Sequence, residues 1–331
     1  MKRLTGGDLI FKRINITGKF LAITIFLILS GCSFQSKIQT QDIQFTPEKT
    51  DCVKIMTFNI RTAHAWWLDG WTWNNWSNRR NVVFNTIANN AADVIGFQEG
   101  IDSQLEEIQK ALPQYEKYAV GRVDGKQRGE TCAIFYRKDR FNLIDCDSFW
   151  FSKKPHKPGS KSWGNMFARI CTWVLLEDKQ TNTTFYVYNV HLDNWSQYSR
   201  EKSVRLLADM IANRKTEDPF IIVGDFNMQM GNPAMKYLEE IGNQDSYPMI
   251  VNAWQSLYSD NPKAGTYHKF SGSTKCPKID HISISDTAQA IDVKIDCNKL
   301  NGHYPSDHFP VIATIRIPSE KMVSMKMTNI Q

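Results

Sequence analysis

The chain has 331 residues, 42% hydrophobic, 22% charged and 12% aromatic. That is an ordinary globular composition with room for one large domain or two small ones, and no internal repeat or low-complexity block interrupts it. The formal net charge is +6, yet residues 1–32 hold Lys2, Arg3, Lys12, Arg13 and Lys19 against Asp8 alone, so 35 basic residues face 33 acidic ones in the remainder. A balance that even gives no support to a basic stripe gripping long nucleic acid.

At the start, Lys12, Arg13 and Lys19 precede "FLAITIFLILSGC". This apolar run of about a dozen residues has the length of a signal-peptide core and is short for a membrane span. It ends in Leu29-Ser30-Gly31-Cys32 and resembles a bacterial lipoprotein signal, with cleavage before Cys32 and lipid on its thiol; the plainer readings are a signal anchor or a buried helix. Residues 33–50 then read as a polar tether, and the expectation is a lipid-anchored protein of the bacterial cell envelope, periplasmic or surface-facing, and monomeric. Six cysteines follow Cys32, at positions 52, 132, 146, 171, 276 and 297. None has zinc-site spacing, and an envelope location permits disulfides without dictating any.

From Asp51 onward strand-like and helix-like runs alternate. "CVKIMTFNI" predicts a strand, "NRRNVVFNTIANNAA" a helix with Val82, Val83, Ile87 and Ala91 at helical spacing, "DVIGFQE" a short buried strand, and "IDSQLEEIQKAL" a helix closed by Pro113. "ETCAIFYRKD", "RICTWVLLED" and "TTFYVYNVHL" carry the aromatic and β-branched residues of a half-buried sheet. "SREKSVRLLADMIANRK" is amphipathic and helical; "PFIIVGDFNMQ", "PKIDHISIS" and "DHFPVIATIRI" are the last strands. This order predicts an α/β fold, a two-sheet β-sandwich flanked by helices, with one domain over residues 51–318 and a tail at 319–331.

Several strands end in polar groups. "IIVGDFN" runs four apolar residues into Asp225 and Asn227; "TFNI" carries Asn59, "GFQE" Glu99, "YNVHLDN" Asn189 and His191, and "KIDHIS" Asp280, while Asp307 and His308 stand just before the final strand. Residues two apart on a strand share a face, so Asn189 with His191, and Asp225 with Asn227, project together. A single such pair is the ordinary chemistry of turns and helix caps. Six polar strand ends built from Asn, Asp, Glu and His are poor material for a core and are placed where sheet proteins collect their sites. Carboxylates without thiolates favour a hard cation, Mg²⁺ or Mn²⁺. With amide and imidazole beside them, the set suits attack of water on a phosphate ester.

"TFN", "GFQE", "NVHLDN", "GDFN", "IDHI" and "SDH" occur in the order and spacing of the endonuclease/exonuclease/phosphatase superfamily, which this chain resembles from Val53 to Ile317. That family includes pancreatic-type deoxyribonuclease, abasic-site endonucleases, neutral sphingomyelinases, inositol polyphosphate 5-phosphatases and poly(A) deadenylases. The resemblance implies a four-layer fold and the following roles. Glu99 is the principal metal ligand with Asn59 beside it, and Asp307 is a further acid of the metal site. Asp225 positions and activates water, Asn227 binds phosphate, and His308 binds the scissile phosphate with Asp280 orienting its ring. His191 stands where some relatives place Tyr, and Asn189, Asn194 and Arg169 are the expected substrate contacts, Arg169 for a second phosphate or else in an ordinary salt bridge.

The resemblance leaves the substrate open. A phosphodiesterase or nuclease stands first, a phosphatase of a small metabolite or a lipid phosphodiesterase second, and a non-catalytic glycan- or lipid-binding lipoprotein third. Two segments are distinctive. "HAWWLDGWTWNNW" holds five of the ten tryptophans and is either an aromatic wall, a lipid-interface patch, or a loop folded on its own rings, with Trp76 and Arg79 structural. "SFWFSKKPHKPGSKSWGNMFARICTW" reads as a long loop near the site, its lysines solvated or touching an anion.

Overall fold

Among the described residues, twelve strands form two six-stranded sheets, and the sequence pattern explains which face of each strand goes where. The computed structural model describes residues 51–318 except 245 and 259–263; the predicted signal segment, Cys32, the tether, the tail and the side chain of Trp66 lie outside the described residues. The first sheet has the order β11-β12-β1-β2-β4-β3 and the second β5-β6-β7-β8-β10-β9. The strands are β1 (Cys52–Asn59), β2 (Val94–Gln98), β3 (Tyr115–Tyr118), β4 (Cys132–Arg137), β5 (Phe141–Trp150), β6 (Ile170–Asp178), β7 (Thr183–His191), β8 (Phe220–Asp225), β9 (Ile250–Asn252), β10 (Asp280–Ser285), β11 (Gln289–Ile295) and β12 (Val311–Arg316). The helices are α1 (Trp66–Asp69), α2 (Trp76–Asn90), α3 (Asp102–Ala111), α4 (Gln197–Ala212), α5 (Pro233–Glu240) and α6 (Ala253–Leu257).

Three apolar clusters separate the layers. Between the sheets, Val53, Ile55 and Val94 meet Val187, Ile221, Val223, Ile282 and Ile284. Outside the first sheet, Met56, Phe58, Ile95 and Phe97 pack on Val83, Phe84 and Ile87 of α2 and Leu105 and Ile108 of α3. Outside the second, Tyr186, Tyr188, Phe220 and Ile222 pack on Val204, Leu207, Ala208 and Ile211 of α4. Each aliphatic side chain so enclosed contributes on the order of 1.5–3 kcal/mol. The helices are held in phase by their ends: Asn75 accepts from the Ser77 amide at the head of α2, and Ser196 from the Ser199 amide at the head of α4.

Strand alternation carries the inter-sheet row from apolar to polar along each central strand. Val53 and Ile55 lead to Asn59, Val187 to Asn189 and His191, and Ile221 and Val223 to Asp225. Parallel pairing aligns Asn59 with Gln98 and His191 with Asp225, and antiparallel pairing sets the first residue of β10, Asp280, directly against Asp225, the last of β8. All the polar ends therefore reach one rim of the sandwich. Gly96 lets the sheets close where the change occurs: a Cβ there would stand 2.5 Å from Val223 Cγ2 and 3.0 Å from Asn189 Cγ.

Candidate active site

Asp225 is the hub of the rim. Its Oδ2 accepts a hydrogen bond from Asn59 Nδ2 at 3.1 Å and faces His191 Nε2 at 3.6 Å and His308 Nε2 at 3.9 Å, while its Oδ1 accepts from the Asn227 amide at 2.8 Å. The other ring nitrogen of His308, Nδ1, lies 2.9 Å from Asp280 Oδ2. Asn59 Nδ2 also donates to Glu99 Oε1 at 3.1 Å, and the Thr62 amide donates to Glu99 Oε2 at 3.1 Å. Glu99 and Asn227 both hold left-handed backbone, φ 64° and 53°. For a glutamate that conformation costs on the order of 1–3 kcal/mol, the kind of strain that surrounding bonds maintain at functional sites.

Burial and neighbouring charge divide these groups into donors and acceptors. Burial and the facing Asp280 raise the Asp225 carboxyl to about 7, with His308 acting against them. Burial alone would lower His308, but Asp280, Asp225 and Asp307 outweigh it and raise the imidazole to about 10, so it is cationic at neutral pH. His191 is pushed well below the usual histidine range by burial and by Arg169 and Arg122, and stays neutral. Asp225 thus lies between a charged imidazole and an uncharged one, the separation of protonation states on which acid–base chemistry depends.

Two groupings offer ligands to a cation. Ligand atoms of Asp225, Asp280 and His308 lie within 4.8 Å of one another. There, however, Asp280 Oδ2 is already taken by His308 Nδ1 at 2.9 Å. Glu99 and Asp307 suit a hard cation better. Burial works to raise Glu99, but His308, Asn59 and Arg61 prevail and keep it below the ordinary carboxylate range. Asp307 is raised by burial and by Glu99 against the pull of His308 and Arg61. Two carboxylates, one of them lifted by the charge of the other, are oxygen donors of the kind that Mg²⁺ or Mn²⁺ takes.

The groups open into a cavity of about 840 Å³. A family model described as Endonuclease/Exonuclease/phosphatase family matches residues 56–308. The chain belongs to the endonuclease/exonuclease/phosphatase family. It is similar to a family member of solved structure from Bacteroides vulgatus, with 28% identity, TM-score 0.72, and coverage of 81% of this chain and 99% of that one. A mannosyl-6-phosphatase of Bacteroides thetaiotaomicron is similar to the same degree, 28% identical with TM-score 0.72, covering 80% and 99%. Among curated proteins, protein L388 of Acanthamoeba polyphaga mimivirus is 27% identical over 72% of this chain and 91% of its own length. The 3'-5'-exoribonuclease subunit Ccr4 of Schizosaccharomyces pombe is 23% identical over 77% of this chain, which spans about half (47%) of that relative. The chain is therefore a phosphoester hydrolase on the four-layer sandwich of its family.

Of the residues singled out in the sequence, Glu99, Arg169, His191, Asn194, Asp225, Asn227, Asp307 and His308 line the cavity. Asn59 and Asp280 stand directly behind it, bonded to residues that do. Asn189 is a correction: it is fully buried between the sheets, where Nδ2 donates to the carbonyls of Phe97 at 2.9 Å and Ala133 at 2.8 Å and Oδ1 accepts from Gln98 at 2.7 Å. It ties one sheet to the other and leaves nothing for substrate. Arg169 is in the wall but engaged, with Nε 3.4 Å from Asp193 and Nη2 donating to Asn194 Oδ1 at 2.8 Å. That bond fixes the Asn194 amide oxygen, while Nη1 of Arg169 is left without a hydrogen-bond partner.

The tryptophan loop divides. Trp76 is buried, and the buried Arg79 donates to the carbonyls of Ile60, Arg61, Asn74 and Pro305, pinning the exit of β1 to the loop that carries Asp307 and His308. Trp67 lines the cavity, Trp73 stacks on His303 at 3.5 Å, and Trp71 is 99% exposed. Lys153, Lys154, Lys157 and Lys161 are exposed and outside the cavity lining. Arg61, Arg122, Glu130 and Tyr267 also line the cavity without having been foreseen. Arg61 follows Asn59 by two residues and Glu130 opens the predicted strand "ETCAIFYRKD", whereas Arg122 and Tyr267 come from segments with no periodicity to mark them.

Proposed function

We propose that this protein is a divalent-metal-dependent phosphomonoesterase acting on small phosphorylated compounds, with sugar phosphates as the substrate class. The observation that carries this reading is the pairing of the cavity's cations. Arg61 lies against Asp69 at 3.1 Å and Asp307 at 3.7 Å, Arg122 against Glu130 at 2.7 Å, and Arg169 against Asp193 at 3.4 Å. Among the described residues, every arginine of the lining has an internal acid and no lysine lines it, with Nη1 of Arg169 the one buried guanidinium nitrogen there without a hydrogen-bond partner. One phosphate is matched by His308 and a bound cation, whereas a polyanion would find each further guanidinium already sharing its charge with an acid. This reverses the order of the two enzyme readings drawn from the sequence, and the likeness to the mannosyl-6-phosphatase supports the same direction.

A divalent cation held by Glu99 and Asp307, with the Asn59 amide beside them, would supply charge neutralisation at a phosphoryl oxygen. The chain does the rest. His308, kept cationic by Asp280, donates to the phosphate and stabilises charge as it develops. Asp225, raised to about 7, accepts the proton of the attacking water near neutrality. Asn194, oriented by Arg169, donates to a phosphate oxygen. Neutral His191 faces Asp225 across 3.6 Å and completes the polar floor. The same reading keeps the enzyme on a membrane through Cys32: Cys32→Ser should leave hydrolysis intact and move the protein to the soluble fraction, and continued membrane retention would reject the anchor.

The test is a parallel assay of the full chain with Mg²⁺ against p-nitrophenyl phosphate, hexose 6-phosphates, bis-p-nitrophenyl phosphate, single-stranded DNA and RNA, with Asp225→Ala as control. Phosphomonoester turnover exceeding diester turnover in kcat/KM is expected. Faster cleavage of nucleic acid, lost in the Asp225 variant, would overturn the reading.

A further inference from the structure

We propose that the aromatic rim of the cavity is a glycosyl subsite, so that the preferred substrate is a phosphorylated sugar at the end of an oligosaccharide, not a free monosaccharide phosphate. This rests on the phosphomonoesterase reading and extends it to the leaving-group side. Trp67, Phe167 and Trp195 line the cavity yet are 63%, 48% and 73% exposed. Large rings left in water around one opening are a binding feature, since scattered single exposures need no explanation but a clustered patch does. The volume, about 840 Å³, falls high in the ~300–1,000 Å³ range that encloses drug-sized ligands and leaves room beyond one phosphorylated ring.

The polar groups beside Phe167 identify the occupant. Arg122 is paired with Glu130 at 2.7 Å, and its guanidinium carbon sits 5.2 Å over the centre of the Phe167 ring. Saccharides present a flat C–H face that stacks on aromatic rings and hydroxyls that both donate and accept, which a carboxylate–guanidinium pair can bridge in both senses. An acyl chain would strip water from that ion pair with nothing in return. A nucleic acid would bring further phosphates toward Glu130, an acid whose nearest lining cation, Arg122, is already paired with it at 2.7 Å. A neutral polyhydroxylated chain continuous with the phosphate site satisfies both the rings and the pair.

The experiment compares kcat/KM for mannose 6-phosphate and for mannobiose and mannotriose bearing the 6-phosphate, in the wild type, Trp195→Ala and Phe167→Ala, together with the change in tryptophan fluorescence when wild-type protein is titrated with unphosphorylated mannotriose. The wild type should favour the trisaccharide over the monosaccharide by roughly tenfold, about one 1.4 kcal/mol step, and that ratio should fall below about threefold in the variants. Neutral mannotriose should perturb the fluorescence of the wild type and not that of Trp195→Ala. A wild-type ratio near one, or a preference that survives both substitutions, overturns the subsite. Loss of all phosphomonoester turnover, including p-nitrophenyl phosphate, alongside cleavage of nucleic acid, would instead sink the underlying enzyme reading, so the two failures are separable.

Discussion

The Nδ1 atom of His308 lies 2.9 Å from Asp280 Oδ2, deep enough that both side chains are almost wholly enclosed. That contact keeps the ring cationic and turns Nε2 toward Asp225. Asp280→Asn preserves shape but removes the charge that holds the proton on His308, and should lower kcat on the order of 10²–10³. His308→Ala should cost on the order of 10²–10⁴. Because Asp280 acts through His308, the double variant should be no slower than His308→Ala alone. Steady-state kinetics with p-nitrophenyl phosphate check this, and multiplicative losses in the double variant would show that the two residues act independently.

Asn189 sits on the same face of β7 as His191, two residues nearer the core, and its three hydrogen bonds all run to the first sheet. Asn189→Leu would leave the Phe97 and Ala133 carbonyls without this partner, while Gln98 Nε2 keeps Thr57 Oγ1 and the Gly96 carbonyl at 3.1 Å each. Each buried orphan costs about 1–3 kcal/mol, so a loss of roughly 2 kcal/mol or more in unfolding free energy is expected, with KM of the folded fraction unchanged. Denaturant melts and KM for p-nitrophenyl phosphate measure the two. A raised KM at unaltered stability would return Asn189 to the substrate site.

How much of this was legible follows from where each strand lies. The eight strands read from the sequence are the interior ones, β1, β2, β4, β6, β7, β8, β10 and β12, whose long apolar runs are needed on both faces. The four unread strands, β3, β5, β9 and β11, are the four sheet edges. Edges are short or carry charge that discourages pairing with other chains: β9 has three residues, β5 exposes Asn142 and Asp147, and β11 exposes Gln289, Asp292 and Lys294. Their residues obey the solvent as much as the core, so no period survives. The site divides on the same principle. Asp225, Asp280 and His191 were readable because strand alternation projects them, but Arg122 comes from the irregular segment between β3 and β4, and Glu130, at the head of the predicted strand, stands two residues before β4 begins, so only the fold brings them to the cavity. Asn189 shows the converse: alternation gave its face correctly, while its depth depended on how closely Gly96 lets the sheets approach.

His281 predicts how stability responds to acid. Its Nε2 lies 2.9 Å from the Met228 carbonyl and its Nδ1 3.3 Å from Lys278 Nζ, so Nε2 donates and Nδ1 accepts in the neutral ring. Burial and Lys278 push it well below the usual histidine value, against the bond to Met228. The unfolded chain, with a histidine near 6.5, takes up a proton that the fold refuses. Stability is therefore fully present above that pH and is lost as pH falls below it, by up to about 1.4 kcal/mol per pH unit for one such group. His268, lowered to about 4 by burial and His308, adds to the same slope. In urea melts between pH 7 and 4.5, His281→Gln should show a flatter pH dependence whatever its absolute stability; an unchanged slope would mean His281 is protonated in the fold.

Removal of metal gives the remaining prediction. Burial first, and the charge of Glu99 with it, lift the Asp307 carboxyl. A bound dication relieves that repulsion in the folded state alone, so it should stabilise the fold as well as enable hydrolysis. At a hundredfold excess over Kd the gain is about 2.7 kcal/mol, read as an upward shift in Tm on adding Mg²⁺ or Mn²⁺ to chelated protein. The shift should vanish in Glu99→Gln, whose neutral amide removes the anionic donor, and persist in His308→Ala, which lacks activity but keeps the acids. EDTA should abolish turnover and either metal restore it. Activity that survives exhaustive chelation would remove the cation from the mechanism, and a Tm shift retained in Glu99→Gln but lost in Asp280→Asn would move the metal to the Asp225, Asp280 and His308 grouping instead.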